Sequence, residues 1–541
     1  MLKAQGNRIF IYSAQKAYSN CMNTLMKTLK SLCNMNLSAA DRRSKGDIME
    51  ESRGKVPMSK LDIAVTQEEV NRIKDRGYND DLLPKTADKR NMSAKNYFTL
   101  WMGSVHNIPN YAAVGGFLFL GLSPINIMIA LVISSLAVSA LMVFNGKAGS
   151  KYGIPFSMHL RSTYGDLGAK LPGLLRGGVA AIAWFGLQNF TASLALLILI
   201  GKIWPGFLTL GGDFNFFGIG LPGLISFTIF WAINLLIGLG GGETLNKFTA
   251  ILNPLIYVVF IGMTIWAIKV GGGIGNILSF VPTGSEVQNN PPLLVYLMII
   301  NGVLAVWAGP GASVADFTQS ATSTKAQTIG QTASLVVGYL IFAFSSISIL
   351  IGGSIHYGVQ EWNVLNIVEK WDSFPAAIIT IIVLLMTTIS TNATGNIVPA
   401  AYQLSALFPK TINYKKGVVI AAIISYVIMP WKLMENSASI FAFLNIIGAV
   451  LGPVAGVMLA QYFFVLKEEI DIDELYMDPT ADNSANKYHG VNKEAYIATI
   501  VALVVSMLGQ FIPSLSIISS LSFLVGAGLS FILYLLLKKN K

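Results

Sequence analysis

A tryptophan and a glutamine stand four residues apart in the apolar stretch WFGLQ, as Trp184 and Gln188. This spacing puts both side chains on one face of a helix. An indole can stack on a flat heterocycle, and an amide can pair with the N–H and C=O groups at the edge of its ring. The same pair also fits a helix in which the tryptophan packs and the glutamine bonds a neighbouring helix, which is the commoner arrangement.

Hydroxyl and amide side chains are concentrated in a second apolar stretch, residues 387–396, which reads TTISTNATGN. Oxygen donors of this kind suit Na⁺. Serine and threonine in membrane helices also commonly bond their own backbone carbonyls, so the hydroxyls have a second explanation. Asn396 is harder to explain by packing, since a buried amide needs hydrogen-bond partners on both sides.

Two further apolar stretches carry helix-breaking residues in their middle. His106-Asn107-Ile108-Pro109-Asn110 interrupts the run 97–122, and the run 291–317 contains WAGPGAS at 307–313. Proline removes a backbone donor, and the freed groups need protein or a wet cavity around them at membrane depth. Interrupted helices at matching positions in two halves are typical of transporters with inverted repeats. We therefore predict breaks in both runs.

The composition identifies the elements that hold these residues. The chain has 541 residues, of which 53% are hydrophobic and 12% charged, whereas a soluble domain is about 25% charged. We predict an all-α polytopic membrane protein with about 12 transmembrane helices of roughly 20 residues each. The predicted spans are 97–122, 123–144, 175–200, 219–240, 247–271, 291–317, 328–354, 374–400, 415–431, 436–465, 495–515 and 516–537.

The two breaks lie five spans apart, which predicts a 5+5 inverted repeat with broken helices 1 and 6 and two added C-terminal helices. The predicted organisation is a cytoplasmic N-terminal tail at 1–95, a ten-helix core at 96–465, a cytoplasmic loop at 466–494, and two helices with a short tail at 495–541. Residues 1–48 are interpreted as an upstream artefact of a mis-assigned start, with a disordered tail as the alternative.

Basic residues set the predicted orientation. Lysine and arginine crowd the connection after span 2, the connection after span 8 and the C-terminus, so that both termini are predicted to be cytoplasmic in the cell membrane. The connection after span 2 is predicted to contain Lys147, Lys151, Arg161, Lys170 and Arg176. The net charge of +10 is explained by this orientation and not by nucleic acid.

Several kinds of chemistry are excluded by what the spans lack. The glycine-rich run at 238–243 has no Lys-Ser/Thr of a phosphate loop and predicts a cytoplasmic turn. Both cysteines, Cys21 and Cys33, lie in the N-terminal tail. No nucleophile–base pair or metal cluster is visible in the spans, so we predict neither an enzyme nor a cofactor. Isolated polar clusters between apolar spans also disfavour a channel, which needs a continuous polar pore.

At HNIPNY, WFGLQ and STNATGN together, the chain resembles the nucleobase:cation symporter family, the first of two so named, and most of all its bacterial allantoin permeases. It is also similar to the hydantoin transporter. Further family-like stretches are GSKYGIPF at 149–156, MPWKLMENS at 429–437 and LGPVAGVMLAQYF at 451–463. The likeness covers about residues 80–540.

The resemblance assigns roles to residues. It implies that Trp184 and Trp307 stack on the two faces of a substrate ring, and that Gln188, Asn396 and Asn107 bond its edge. Leu444 would be an extracellular gate. Ser390 and Thr391 would bind Na⁺ through their side chains, and Gly103, His106 and Thr387 through backbone carbonyls. Span 6 departs from the family, because AGPGASVAD follows its tryptophan where allantoin permeases have an apolar run and Asn-Ile-Pro-Asp.

These observations predict a secondary-active importer, expected to be a monomer, that takes up allantoin or a related ureide or hydantoin with Na⁺ or H⁺ by alternating access. Uracil, cytosine or another nucleobase is the alternative substrate, because a two-tryptophan clamp fits any flat ring of that size. The scarcity of carboxylates at mid-membrane favours Na⁺ over H⁺.

Overall fold

The structure is a computed structural model of the chain, and it describes residues 65–283, 287–360, 363–433, 437–478 and 481–539. The backbone alone is described for residues 241–251, 253, 433 and 437–440. The predicted artefact at 1–48 lies outside the described residues. Almost every described element is helical, apart from one small hairpin of β1 (Asn215–Phe216) and β2 (Ile219–Gly220).

The helices of the first half begin in the predicted N-terminal tail. They are α1 (Gln67–Asp75), α2 (Ala94–Val105), α3 (Ile108–Phe117), α4 (Pro124–Tyr152), α5 (Phe156–Tyr164), α6 (Lys170–Ile203), α7 (Leu221–Val270) and α8 (Ile274–Leu278). Short 3-10 turns lie at Asp80–Leu82, Ala87–Lys89, Leu118–Leu120 and Pro205–Thr209.

The second half continues with α9 (Pro292–Ser313), α10 (Ala315–Thr318), α11 (Thr324–Tyr357), α12 (Val364–Glu369), α13 (Phe374–Leu407) and α14 (Tyr414–Val427). It ends with α15 (Ser437–Ala460), α16 (Ile472–Leu475), α17 (Lys493–Phe511), α18 (Ser516–Ser520) and α19 (Ser522–Lys539). Short 3-10 turns lie at Pro430–Leu433 and Pro513–Leu515.

Membrane-length helices dominate the described part of the chain. Nine of them are long and apolar enough to cross a bilayer, and Ile108–Leu120 and Pro254–Val270 are shorter apolar helices. The prediction of an all-α polytopic membrane protein is therefore confirmed. The count of twelve and the inverted repeat remain predictions.

The first predicted break is confirmed. Helix α2 ends at Val105 and α3 begins at Ile108, so His106 and Asn107 lie between two helices. Proline is at the start of α3, where its missing N–H is not needed by the helix and its fixed φ suits the first turn. The composition of HNIPN therefore gave the correct position of the interruption.

The second predicted break is wrong in position. Helix α9 continues through residues 307–313 with Pro310 inside it and ends only at Ser313. A proline inside a helix removes the bond to the carbonyl four residues before it, here Val306 O. Side chains bond other carbonyls of this stretch: Arg176 donates to Gly309 O at 2.7 Å and Asn145 donates to Gly311 O at 3.1 Å. These side chains come from other helices and are distant in sequence, so the pattern WAGPGAS alone did not reveal them.

Two other expectations need correction. The glycine-rich run at 238–243 is helical within α7 and is not a turn, so its backbone groups are bonded along the helix. Arg176 lies inside α6, in a π-helical turn at Leu174–Ala180, and is buried. The prediction that Arg176 belongs to the loop is therefore wrong, because a charged residue near a span end is usually exposed and this one is not.

The part of the predicted tail that the structure describes is folded. Helix α1 begins with a capping box between Thr66 and Glu69. Arg76 forms an ion pair with Asp473 at 2.8 Å. Tyr476 donates to Leu82 O at 2.6 Å. The segment 65–93 thereby packs against the loop that follows α15.

Three hydrophobic cores position the helices. The largest core contains residues of α2, α4, α9 and α11, among them Leu100, Val138 and Leu304. The first half of α6 and the second half of α13 pack with α14 in a second core that includes Phe185 and Ile397. A third core joins α5, the second half of α15, α17 and α19.

Small residues let α15 and α19 approach closely. Gly448, Gly452 and Gly456 recur every fourth residue, and each faces α19. A Cβ at Gly452 would lie 2.8 Å from Phe523 O, and one at Gly456 would overlap Ala527 O. In lipid, close backbone approach of this kind is a main source of helix–helix attraction.

The glycine seam gives a stability prediction. Gly456→Ala should force α15 and α19 apart and lower the free energy of unfolding by about 1–3 kcal/mol, the usual cost of overpacking. The measurement is thermal unfolding of the purified protein in detergent. Gly528→Ala in α19 is the matched control, because a Cβ there meets nothing within 4 Å. Equal melting temperatures for the two variants would contradict the packing argument.

Candidate functional site

The interruption between α2 and α3 is held by two asparagine amides. Asn107 caps α3, because its Oδ1 accepts the N–H of Asn110 at 3.0 Å, while its Nδ2 donates to Ser104 O at 2.8 Å. The Asn110 Nδ2 donates to Val105 O at 2.7 Å. The N–H of Asn107 bonds Val105 O at 3.2 Å rather than Gly103 O, the acceptor that a continuing helix would use. The Gly103 carbonyl is thereby released from the helical pattern.

The ring of His106 points into an aromatic group. The side chain is completely buried. Its ring centroid lies 4.7 Å from that of Phe260 and 5.4 Å from that of Phe342. Its Nδ1 is 3.4 Å from the hydroxyl oxygen of Tyr111. Its imidazole is thus occupied by packing. What His106 can offer at the interruption is its backbone carbonyl.

Helix α13 faces this interruption with a π-helical turn at Ala393–Ile397. Asn396 donates from Nδ2 to Asn392 Oδ1 at 2.8 Å, and Asn392 donates to Phe185 O at 3.2 Å and to Asn189 Oδ1 at 3.3 Å. This chain of amides from α6 to α13 fixes the orientation of the Asn396 side chain. π-Turns are often found at functional sites, where they redirect side chains.

A small cavity of about 30 Å³ lies between these elements. All five residues predicted to bind substrate line it: Asn107, Trp184, Gln188, Trp307 and Asn396. It is completed by Trp101, Ser104, Pro109, Asn110, Val306, Pro310, Thr391 and Gly395.

The indoles of the cavity are fixed from behind. Trp307 donates from Nε1 to the Tyr339 hydroxyl at 2.7 Å and meets Trp101 edge-on at 5.9 Å between ring centroids. Trp184 meets Phe443 edge-on at 4.9 Å. Leu444, predicted as a gate, is buried against Trp184 in a small cluster with Leu187 and Ala305.

Three buried polar atoms on the lining residues have no partner among the described residues: Trp101 Nε1, Trp184 Nε1 and Gln188 Oε1. Buried donors and acceptors are almost always satisfied in folded proteins, so exceptions at a cavity indicate a missing ligand or water. Two donors and an acceptor beside flat indole faces suit a small planar solute that carries both C=O and N–H groups.

The hydroxyls of α13 divide into two kinds. Thr387 and Thr388 both donate to Leu384 O, Thr391 donates to Thr387 O at 2.9 Å, and Thr394 donates to Ser390 O. These bonds follow the backbone pattern usual in membrane helices. The Ser390 hydroxyl is buried and has no partner in the described part of the chain.

The predicted cation ligands come from two elements in contact. Thr391 Oγ1 lies 3.5 Å from Ser104 O, which brings α13 against the end of α2. A threonine that donates its hydrogen to a carbonyl still has oxygen lone pairs for a cation. Ser390, Thr391 and the carbonyls of Gly103, His106 and Thr387 are all neutral oxygens, a donor type that fits a monovalent hard cation.

Seven cavity residues have no site role in the sequence prediction, and three of them carry polar side-chain groups: Trp101, Ser104 and Asn110. Trp101 and Ser104 are three residues apart and therefore on one face of α2. That spacing is visible in the sequence, although Asn107 near the proline is the more obvious candidate. Arg176, behind the cavity, gave no such signal because its partners are backbone carbonyls.

The chain is similar to a known family of permeases. The family described as "Permease for cytosine/purines, uracil, thiamine, allantoin" matches residues 84–527. The "Putative allantoin permease" of Escherichia coli strain K12 is 56% identical over 86% of this chain and 95% of its own length. The "Allantoin permease" of Bacillus subtilis strain 168 is 38% identical over 88% of this chain and 95% of its own length.

One solved structure is similar over most of the fold. It is Mhp1, described as a nucleobase-cation-symport-1 family transporter in a closed conformation with bromovinylhydantoin bound. The TM-score is 0.70 at 23% identity, and the match covers 85% of this chain and 95% of that one. At this identity the likeness shows a common fold.

The geometry of the interruption gives a second prediction. Asn110→Leu should remove the shorter of the two bonds to the Val105 carbonyl, leaving only the Asn107 N–H as donor. It should lower the free energy of unfolding by about 0.5–1.5 kcal/mol, the usual net value of one hydrogen bond. Thermal unfolding in detergent measures the effect. Ser348→Ala is the control, since the buried Ser348 hydroxyl has no partner among the described residues and its removal costs no hydrogen bond. An unchanged melting temperature for Asn110→Leu would mean that the interruption needs no support from this amide.

Proposed function

The chain belongs to the family of permeases for cytosine/purines, uracil, thiamine and allantoin, and we propose that it imports allantoin or a closely related ureide or hydantoin together with Na⁺. As a member of this family it is a membrane transporter and not an enzyme. Allantoin is a hydantoin ring with a ureido side chain, so it is small and rich in C=O and N–H groups.

Similarity to named relatives supports the choice of substrate. Two relatives called allantoin permeases align with this chain over 95% of their lengths. A transporter solved with a hydantoin bound has the same fold. Hydantoin and allantoin share their five-membered ring, so one arrangement of stacking and edge contacts serves both.

The observation that carries the proposal is the cavity itself. Trp184 and Gln188 line it with an unpartnered N–H and an unpartnered C=O. A ureide offers the complementary acceptor and donor. In the proposed bound state Trp184 and Trp307 stack on the ring, while Gln188, Asn396 and Asn107 bond its edge. A site built to hydrogen-bond a particular edge rejects flat rings that lack it far more strongly than packing can.

The cation is proposed to bind where α13 touches the end of α2. Ser390 and Thr391 would supply side-chain oxygens, and Gly103, His106 and Thr387 would supply carbonyls. Thr391, Ser104 and Asn107 also line the substrate cavity. A cation that orders the interruption would therefore position Asn107 for the substrate, and the substrate would favour cation binding to the same extent.

Leu444 is proposed to close the cavity on the extracellular side. Leu444 belongs to the same small buried cluster as Trp184, so a bound ring that fixes Trp184 would also favour the closed position of Leu444. Transport then requires the two walls of the cavity to separate on the other side by alternating access.

The stacking role gives a binding prediction. Trp184→Ala should weaken binding of allantoin at least about tenfold, equivalent to 1.4 kcal/mol, because one face of the ring loses its partner. The measurements are tryptophan-fluorescence titration of the purified variant and uptake into proteoliposomes. Trp204→Ala is the matched control, since Trp204 is outside the cavity and 54% exposed.

The same titration is run with hydantoins, uracil and cytosine. Wild-type protein that preferred uracil or cytosine to allantoin would overturn the proposed substrate. A Trp184→Ala variant with wild-type affinity would remove the stacking role while leaving the substrate unaffected.

The cation site gives a separate prediction. Replacing both Ser390 and Thr391 with alanine should abolish any increase in substrate affinity on adding Na⁺, because two of the proposed ligands are lost. Titrations in sodium and in choline buffer measure it. Thr388→Ala is the control, since its hydroxyl bonds Leu384 O on the same helix and does not line the cavity. Stimulation that persists in the double variant would place the cation elsewhere.

A further inference from the structure

Arg176 is a fully charged side chain at 1% exposure inside a membrane protein. It projects from the π-helical turn Leu174–Ala180 of α6. Burying a guanidinium is costly unless its N–H groups are bonded and its charge is balanced. The proposed transport function gives Arg176 no role, so its burial needs a separate explanation.

Its hydrogen bonds join two helices. The Nε donates to Gly309 O of α9 at 2.7 Å, and Nη2 donates to Gly395 O of α13 at 2.8 Å. A guanidinium can do this because its donors point in fixed directions from one plane. A lysine ammonium is a single point of charge on a flexible stem and cannot span the same pair of carbonyls with the same geometry.

Both acceptors adjoin residues of the cavity wall. Gly309 lies between Trp307 and Pro310 on α9, and Gly395 itself lines the cavity beside Asn396 on α13. Arg176 does not line the cavity. It holds the wall that carries Trp307 at a fixed distance from the wall that carries Asn396, and it does so from behind.

The segments beside the two acceptors pack in different hydrophobic cores, although α6 and α13 also contribute other residues to the largest core. Leu304 of α9 belongs to the largest core, whereas Ile397 of α13 belongs to the core shared with α6 and α14. Arg176 rises from α6, and its two bonds tie the π-turn of α13 to α9.

An acidic side chain lies near Arg176 without forming an ion pair with it. Asp316 follows the end of α9 and is 6% exposed. Its Oδ1 accepts the N–H of Phe156 at the start of α5 at 2.9 Å. Asp316 is therefore held on the α9 side, and its electrostatic influence on Arg176 acts in the same direction as the Gly309 bond.

We propose that Arg176 is a positioning residue that sets the separation of the Trp307 and Asn396 walls, and hence which ring sizes the cavity accepts. This inference rests on the proposed function for its substrates. Arg176 touches no substrate and acts only through the Gly309 and Gly395 carbonyls. Loss of either bond lets the two walls move independently. The affinity for the substrate then falls, and the ratio of affinities for small and bulky rings becomes smaller.

The test compares Arg176→Lys and Arg176→Met with wild type by fluorescence titration against allantoin, hydantoin and a bulky 5-substituted hydantoin. Both variants should bind allantoin at least about tenfold more weakly, equivalent to 1.4 kcal/mol, with a smaller affinity ratio between unsubstituted and bulky hydantoin. Asn145→Ala is the matched control. It removes one bond to the same end of α9, at Gly311 O, and Asn145 does not line the cavity.

A second variant keeps the arginine and disturbs its position. A Cβ at Gly309 would lie 3.1 Å from Arg176 Cζ, so Gly309→Ala should displace the guanidinium by a few tenths of an ångström. It should change the affinity ratio in the same direction as Arg176→Lys. This keeps the question answerable if Arg176→Met does not fold.

Hydrogen exchange gives a readout that needs no substrate. Amides of the π-turn 393–397 should exchange faster in Arg176→Lys than in wild type and Asn145→Ala. If exchange is faster in Arg176→Lys but the wild-type protein binds none of the tested ligands, the proposed substrates are refuted and the wall-positioning role is supported. Folded Arg176 and Gly309 variants with wild-type affinity ratios and wild-type exchange would overturn the inference.

Discussion

A bilayer offers no water to a broken helix, so every interruption of the backbone must be satisfied from within the protein. This constraint explains why the polar residues of this permease are where they are. Asn107 and Asn110 serve the carbonyls of Ser104 and Val105 where α2 ends. Arg176 serves Gly309 and Gly395 on the opposite side of the same cavity. The site is assembled from the groups that compensate for irregular backbone.

The two ligands of the proposed transport cycle also share structural elements. Ser104 and Thr391 lie at the contact between α2 and α13, and both line the cavity. The proposed cation at that contact and the proposed heterocycle in the cavity would share one segment of backbone. Coupling between them would then need no long-range pathway, because each ligand would order what the other must contact.

The sequence predicted the parts of the site that depend on local chemistry. The interruption at His106 and Asn107 followed from a proline and two amides in an apolar run. The Trp184 and Gln188 pair followed from helical spacing, and both side chains line the cavity. What could not be predicted depends on partners far along the chain. Pro310 stays inside a continuous helix, in which Arg176 and Asn145 from two other helices serve the neighbouring carbonyls. No sequence pattern marks the π-turn that presents Asn396, because this turn depends on packing against α6.

The glycine seam between α15 and α19 determines how the proposed extracellular gate can open. From Gly448 onward α15 lies against α19 at a distance that admits no side chain, so this half of the helix moves only if α19 moves with it. Leu444 precedes the seam by four residues, one helical turn. In the proposed cycle, opening of the gate would therefore move the first part of α15 relative to a base that α19 holds in place.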